Sequence, residues 1–238
     1  MTKMFSVLSL ALVLTASTAL AGEKVDPVAG DEKNVEELAK PETAPESPEL
    51  AALIDGISRF YNGIEHIDMK FRQVVQRKTK RRTKKASGTI EFTRPGKMRW
   101  EYKRPERVTY VADGKTLWAW QPEDGLVYRS KIEGSRLYHA LRFLFGVGDL
   151  RGSFIPTLGS SADPATARLV LHPKRGKQDY KELTLVVDRK SFEIRESFLT
   201  DPMDNVTHYL FTEQDYEKPI PAERFEFTPP AGSTVQDI

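Results

Sequence analysis

Four scattered histidines, no cysteine and one arginine on an apolar strand face bound the chemistry open to this chain. His66, His139, His172 and His208 never stand four apart, the spacing at which one helix face presents two imidazoles to a metal. Without cysteine there can be no zinc-thiolate site, redox dithiol or thiol nucleophile. No serine sits in a nucleophile-elbow context, and no glycine-rich loop leads from a strand into a helix. Acid pairs such as Glu123-Asp124 lie among turn residues and read as caps. These absences argue against catalysis, so the chain is expected not to be an enzyme and to use no metal or cofactor.

Two features could instead bind. Arg94 shares a strand face with Ile90 and Phe92 by simple alternation. A guanidinium on an apolar face is costly unless its donors find acceptors or it snorkels to water. It reads either as a strand-end residue or as a polar latch holding a covering element shut over an apolar hollow. Residues 77–85, RKTKRRTKK, carry seven bases in nine positions. They read as a hairpin loop that could meet acidic lipid heads or an acidic partner. They lack the interleaved aromatics on which bases stack, so nucleic acid is not expected as a partner.

The elements around these residues are mostly strands. Residues 94–122 alternate breakers and strands: Arg94-Pro95-Gly96, then Met98, Trp100 and Tyr102 between charges, Pro105, an extended 108–111, and Asp113-Gly114 before Leu117-Trp118-Ala119-Trp120. Further strands are expected at 67–71, 88–93, 126–132, 167–171, 182–187, 193–199 and 205–211, and a short last one at Phe225 and Phe227. The apolar stretch 154–158 is interrupted by Pro156. Leu50, Leu53, Ile54, Ile57, Phe60, Tyr61 and Ile64 recur at helical spacing after Pro48, with Gly63 as a stop. A second helix is expected over 136–145. About ten antiparallel strands must curl, which leaves these two helices to cover one side. The fold class is mainly β with a few helices (α+β). The aromatics Trp100, Tyr102, Tyr110, Trp118, Trp120, Phe143 and Phe145 read as ordinary core or as the lining of a cavity for acyl chains.

Composition sets the compartment. The chain has 238 residues and a net charge of +2. Lys3, an apolar run over 5–14 and Ala19-Leu20-Ala21 have the form of a secretory signal peptide, residues 1–21, cleaved after about Ala21. Gly22 follows where a lipid-bearing cysteine would otherwise stand, so the exported product is expected to be soluble. Residues 22–48 hold three bases and eight acids, net −5, with four prolines and no aromatic residue, the composition of a disordered linker. The remainder, 49–238, is net +6 and forms one domain.

Arg94-Pro95, Trp100, Pro105, Asp113-Gly114-Lys115-Thr116-Leu117-Trp118 with Pro122, and the ending from Phe225 to Gly232 together resemble the LolA family of periplasmic lipoprotein carriers. The similarity runs from about Glu49 to the C-terminus. It implies a strongly curved, open antiparallel half-barrel with a helical lid over an apolar cavity. It implies acylated lipoproteins as cargo, taken from an inner-membrane ABC transporter of the Lol type and passed to an outer-membrane receptor of the LolB kind. It also implies that Arg94 bonds lid carbonyls and stabilises the closed form. The acidic leader and the basic segment 77–85 depart from the usual pattern and leave the cargo open: another amphiphile such as a glycolipid or phospholipid, or a non-transport interaction through the basic loop, are the alternatives. The acyl-binding residues expected on this basis are Phe71, Ile90, Phe92, Met98, Trp100 and Tyr110, roofed by Leu141 and Phe145. The protein is expected to be a monomer.

Overall fold

A computed structural model describes residues 46–132, 149–174 and 180–238, with backbone alone at 80–82. The expected second helix and its roofing residues Leu141 and Phe145 lie outside the described residues, as do Phe143 and His139.

The chain enters the fold through helix α1, Pro48–Asn62. Ser47 caps it, its hydroxyl accepting from Leu50 N at 3.2 Å, and Pro48 sits in the first turn, where the missing N–H costs nothing. The segment expected to end at 48 therefore overlaps the helix by its cap and first residue. Leu50, Leu53, Ile54, Ile57 and Tyr61 bury one side, and Gly63 ends the helix.

Among the described residues, twelve strands make one open, curved sheet. They are β1 His66–Arg77, β2 Lys80–Thr93, β3 Lys97–Arg104, β4 Val108–Asp113, β5 Thr116–Gln121, β6 Leu126–Lys131, β7 Phe154–Gly159, β8 Thr166–Pro173, β9 Glu182–Asp188, β10 Ile194–Thr200, β11 Val206–Asp215 and β12 Thr234–Asp237. A single turn of helix, α2, Leu150–Ser153, precedes β7. The spatial order is β12-β6-β5-β4-β3-β2-β1-β11-β10-β9-β8-β7. Each chain neighbour in β1–β6 and in β7–β11 pairs by a short antiparallel link. The two halves are sealed where β1 pairs with β11.

Three expectations change. Residues 77–85 are not a loop: β1 runs to Arg77 and β2 starts at Lys80, with Val75 opposite Lys84 and Val74 opposite Lys85. A ladder uses main-chain groups, so a run of solvated lysines can continue it wherever a neighbouring strand supplies partners. Only Lys78 and Thr79 turn. Lys78 Nζ reaches Asp204 at 2.7 Å and its N–H reaches Asn205 Oδ1 at 3.2 Å, which braces the hairpin tip against the β10–β11 turn. Second, Phe225 and Phe227 form no strand. Prolines at 219, 221, 229 and 230 remove ladder donors, and the chain makes a 3-10 turn at Ala222–Phe225 instead. The true last strand, β12, runs parallel to β6, held by a bidentate Arg129–Asp237 pair at 2.5 and 2.8 Å. Third, Pro156 does not break its segment: β7 is an edge strand, where a missing N–H can face outward.

The sheet has two unlike faces. Directly opposed residues share a face, so Ile67, Met69 and Phe71 of β1, Ile90 and Phe92 of β2, Met98, Trp100 and Tyr102 of β3 and Tyr110 of β4 make one inner surface. Val111, Trp118 and Trp120 point to the other side. There the segment after β11 crosses the outer face as a strap. Phe227 packs 5.6 Å from the Trp118 ring and 6.1 Å from Trp120, and Phe225 is buried. Arg224 grips Glu91 through Nε at 2.9 Å and Nη2 at 2.6 Å, and Arg99 binds Glu101 at 2.5 Å beside it. The strap thus gives part of the expected wet face an apolar cover of its own. The aromatics read together from the sequence divide between two surfaces.

Gly88 makes the inner face tight. A Cβ there would stand 1.7 Å from the Glu101 carbonyl oxygen and 2.9 Å from the Phe71 ring. Backbone cannot yield as a flexible side chain can, so Gly88→Ala is expected to lower stability by about 2 kcal/mol or more. The midpoint of urea unfolding reads this, and an unchanged midpoint would show that β3 shifts freely.

Candidate ligand-binding site

The inner face is a continuous aromatic surface. Phe71 lies edge-on to Trp100 and Tyr102, with ring centres 5.1 and 5.0 Å apart, and Trp100 meets Tyr209 of β11 at 5.6 Å. Phe71, Ile90, Phe92, Met98 and Trp100 are buried, and Tyr110 is half-buried. Six of the eight expected acyl-binding residues therefore stand on one surface. The same side chains also touch one another: they form a packed aromatic floor, with Tyr110 at its more open margin. Burial drives the Tyr110 and Tyr209 phenols up to about 12, so both stay neutral hydrogen-bonding groups at any physiological pH.

Helix α1 is fastened at several points. Its C-terminal carbonyls meet the Arg94 guanidinium: Nη2 donates to Tyr61 O at 2.7 Å and Nε to Ile64 O at 2.8 Å. The Arg94 main-chain N–H adds a bond to Glu65 O at 3.1 Å. The last carbonyls of a helix lack intrahelical donors and carry partial negative charge, so a cation with two parallel N–H groups suits them. The tip of the helix is held as well: Ile194 N donates to the Tyr61 phenol at 2.9 Å. Along its length Arg151 of α2 binds Asp55 at 2.6 Å and Arg189 binds Glu49 at 2.9 Å.

A notch completes the fastening. Phe192 has φ 64°, the left-handed region a bulky side chain rarely adopts. Its ring fills the space above Gly56, 2.2 Å from where a Cβ would stand. The turn is held by Asp188, whose carboxylate accepts from Lys190 N and Ser191 N, each at 2.9 Å. The Ser191 and Lys190 amides, helped by Arg195, hold the Asp188 carboxyl below its ordinary range.

Residues 62–228 match the family described as Outer membrane lipoprotein carrier protein LolA, which is most of the described sheet. The chain belongs to the LolA family. Among curated relatives, the Outer-membrane lipoprotein carrier protein of Chromobacterium violaceum is 33% identical over 191 residues, covering 79% of this chain and 89% of that one. The protein of the same description from Neisseria meningitidis serogroup B is 28% identical over 185 residues, covering 78% and 87%. Among solved structures, an uncharacterized conserved protein of Thermus thermophilus shares the fold, with a TM-score of 0.50 at 12% identity, covering 79% of this chain and 98% of that one.

The LolA-family match contains Arg94 and the whole aromatic floor. The resemblance implied that Arg94 bonds backbone carbonyls of a lid; which carbonyls, those of Tyr61 and Ile64, left no residue-type signal. Sequence reasoning missed the Gly56–Phe192 notch, which joins positions far apart in the chain. Gln73 could have been found: it follows Ile67, Met69 and Phe71 on the same alternating face, a polar residue where an apolar one is due.

Two outcomes test the fastening of α1. Tyr61→Phe leaves a buried Ile194 N–H without its acceptor, at a cost of about 1–3 kcal/mol. Faster amide exchange at Ile194 and a lower melting temperature are expected, and unchanged exchange would show that the phenol is dispensable. Asp188 has a lowered folded value, so its contribution is complete above the unfolded carboxylate range and lost as pH falls through the folded value. Asp188→Asn, which keeps an acceptor but cannot titrate, is expected to lose less stability than the parent between pH 6 and pH 3. An identical acid limb in both proteins would remove Asp188 from that transition.

Proposed function

We propose that this protein carries acylated lipoproteins across the periplasm to the outer membrane, holding their acyl chains on the inner face of the sheet. The observation that carries the reading is an aromatic floor on an open sheet, with the adjoining helix fastened by Arg94, in a chain of the LolA family. Binding comes from removing acyl methylenes from water, at about 0.8 kcal/mol each. Such binding is strong and indifferent to the attached protein, as a general carrier requires.

Release is the harder half of the task. A receptor takes the cargo only if the carrier's closed, empty state compensates for the chains it gives up. In our reading Arg94 supplies part of that compensation by stabilising α1 in its closed position. The partners are an inner-membrane ABC transporter that loads the carrier and a LolB-like outer-membrane receptor that empties it. The signal peptide is cleaved after about Ala21 on export, and the acidic segment 22–46 ahead of α1 serves as a tether. The protein acts without chemistry of its own: a carrier that neither makes nor breaks a bond needs no nucleophile.

Arg94→Leu tests this directly. It removes two charge-assisted bonds worth roughly 1.5–3 kcal/mol each when buried, less here because the side chain is half-exposed. The empty variant is expected to bind apolar dyes more readily. With cargo loaded, it should hold more tightly and transfer less to receptor. Arg94→Lys should rescue only in part, since one ammonium cannot span two carbonyls as a planar fork does. Equal dye binding and equal transfer by Arg94→Leu would reduce Arg94 to a strand-end residue.

A further inference from the structure

The inner face is not uniformly apolar. Ser197 of β10 stands opposite Tyr209 of β11, and Tyr209 stands opposite Gln73 of β1, so three polar side chains cross the sheet in one row. Tyr102 of β3 stands in the adjoining row, opposite Gly88 and Phe71, with its ring 5.0 Å from Phe71 and 6.1 Å from Trp100. All four are buried: relative exposures are 0% for Ser197, 6% for Tyr209, 3% for Gln73 and 8% for Tyr102.

Their hydrogen bonding is incomplete. Gln73 Nε2 donates to the Tyr209 phenol at 2.8 Å. The Ser197 hydroxyl has no hydrogen-bond partner among the described residues, and the Tyr102 hydroxyl has no well-formed one. Tyr209 and Gln73 adjoin the Tyr102 hydroxyl as weak hydrogen-bonding neighbours and influence its ionisation, but their short bond is to each other. A buried hydroxyl without a well-formed partner costs free energy, and two on a floor otherwise built of apolar rings call for an explanation. A surface meant only for methylenes would be better built from phenylalanine and alanine at these positions.

The ordinary way to satisfy such hydroxyls is an acceptor brought by a ligand. A fatty acyl chain is apolar along its length and carries one strong acceptor, the carbonyl of its ester or amide linkage. Ser197 and Gln73 are two strands apart, about 10 Å, enough for neighbouring carbonyls of a diacyl group. Building on the carrier function proposed above, we propose that Ser197, Tyr209, Gln73 and Tyr102 form a polar shelf that binds the acyl-linkage carbonyls of the cargo. Tyr102 and Ser197 donate, and the Gln73–Tyr209 pair fixes the shelf. The aromatic floor then takes the chains, and the shelf sets how far they slide in. A shelf of this kind distinguishes an ester-linked acyl group from a bare hydrocarbon, which apolar burial alone cannot do.

Ester and ether lipids of equal chain length separate the two contributions, because an ether has lost the carbonyl and kept the methylenes. The full-length mature protein is titrated with a dipalmitoyl-thioglyceryl-cysteine peptide and with its dialkyl ether analogue. A parallel pair is diester and diether phosphatidylglycerol. Binding is read by displacement of an apolar dye. The parent is expected to prefer ester over ether by about fivefold or more, the equivalent of one or two hydrogen bonds. Tyr102→Phe, and separately Ser197→Ala, should reduce that preference while leaving ether binding unchanged. The lipid pair that shows the preference identifies whether cargo lipid or free phospholipid supplies the carbonyl. Binding of ester and ether peptide with equal affinity overturns the shelf and leaves the carrier reading standing. Failure of both peptides to bind overturns the carrier reading itself. A Tyr102→Phe protein that melts within a few degrees of the parent and keeps the full ester preference also overturns the shelf.

Discussion

The junction between α1 and the sheet depends on one guanidinium meeting two helix-end carbonyls. Arg94 closes β2 on the apolar face, and its fork is taken up by Tyr61 O and Ile64 O where α1 passes into β1. The position matters more than the bond count. Ile64 and Glu65 are the link itself, so the contact sets the angle at which the helix leaves the sheet. A charge in that place would be costly without acceptors, and the carbonyls would be unsatisfied without donors. Each group removes the other's penalty, and separation of the two is disfavoured but not forbidden. That balance is compatible with the lid role proposed for α1.

The rest of the fastening divides the work. Tyr61 and Ile194 join the same helix end to β10, while Arg151 and Arg189 hold the middle and the beginning from exposed positions. Exposed ion pairs contribute little each and break easily. The Gly56–Phe192 notch is steric and acts only when the helix is in place. The buried contacts therefore gather at the C-terminal end of α1 and the exposed ones along its length.

The two faces of the sheet answer different demands. On the outer face the strap of residues after β11 covers Trp118 and Trp120 with Phe227 and ties Glu91 to Arg224. Around the strap the aromatic rings are covered and the neighbouring charges Glu91, Arg99, Glu101 and Arg224 are paired. The inner face is aromatic, bordered by half-buried Tyr110, and crossed by buried polar groups whose hydrogen bonding is incomplete, Ser197 above all. The contrast concentrates unmet interactions on the side where a ligand would supply them. Tethering the C-terminal strap to the outside also keeps the last residues from competing for the inner surface.

Much of this was legible in the chain itself. Alternation over β1, β3 and β4 placed Phe71, Trp100 and Tyr110 on one face, because a strand repeats every two residues whatever its neighbours. The helical spacing from Leu50 to Tyr61, the Asp113-Gly114 turn and the oddity of Arg94 beside Phe92 are equally local facts. Register and long-range pairing were not legible. Residues 77–85 are strand because β1 offers them a ladder, and 234–237 are strand because β6 does; neither segment carries a pattern of its own. Trp118 and Trp120 were separated from Trp100 only by the cross-strand partners of β4. Which two main-chain oxygens Arg94 meets was also not legible, and the polar row needs β10, β11 and β1 in register. Local sequence determines which way a side chain points from its own backbone. Only the tertiary structure decides what stands opposite it, because that depends on contacts between residues more than a hundred positions apart, such as Gln73 with Tyr209 and Tyr61 with Ile194.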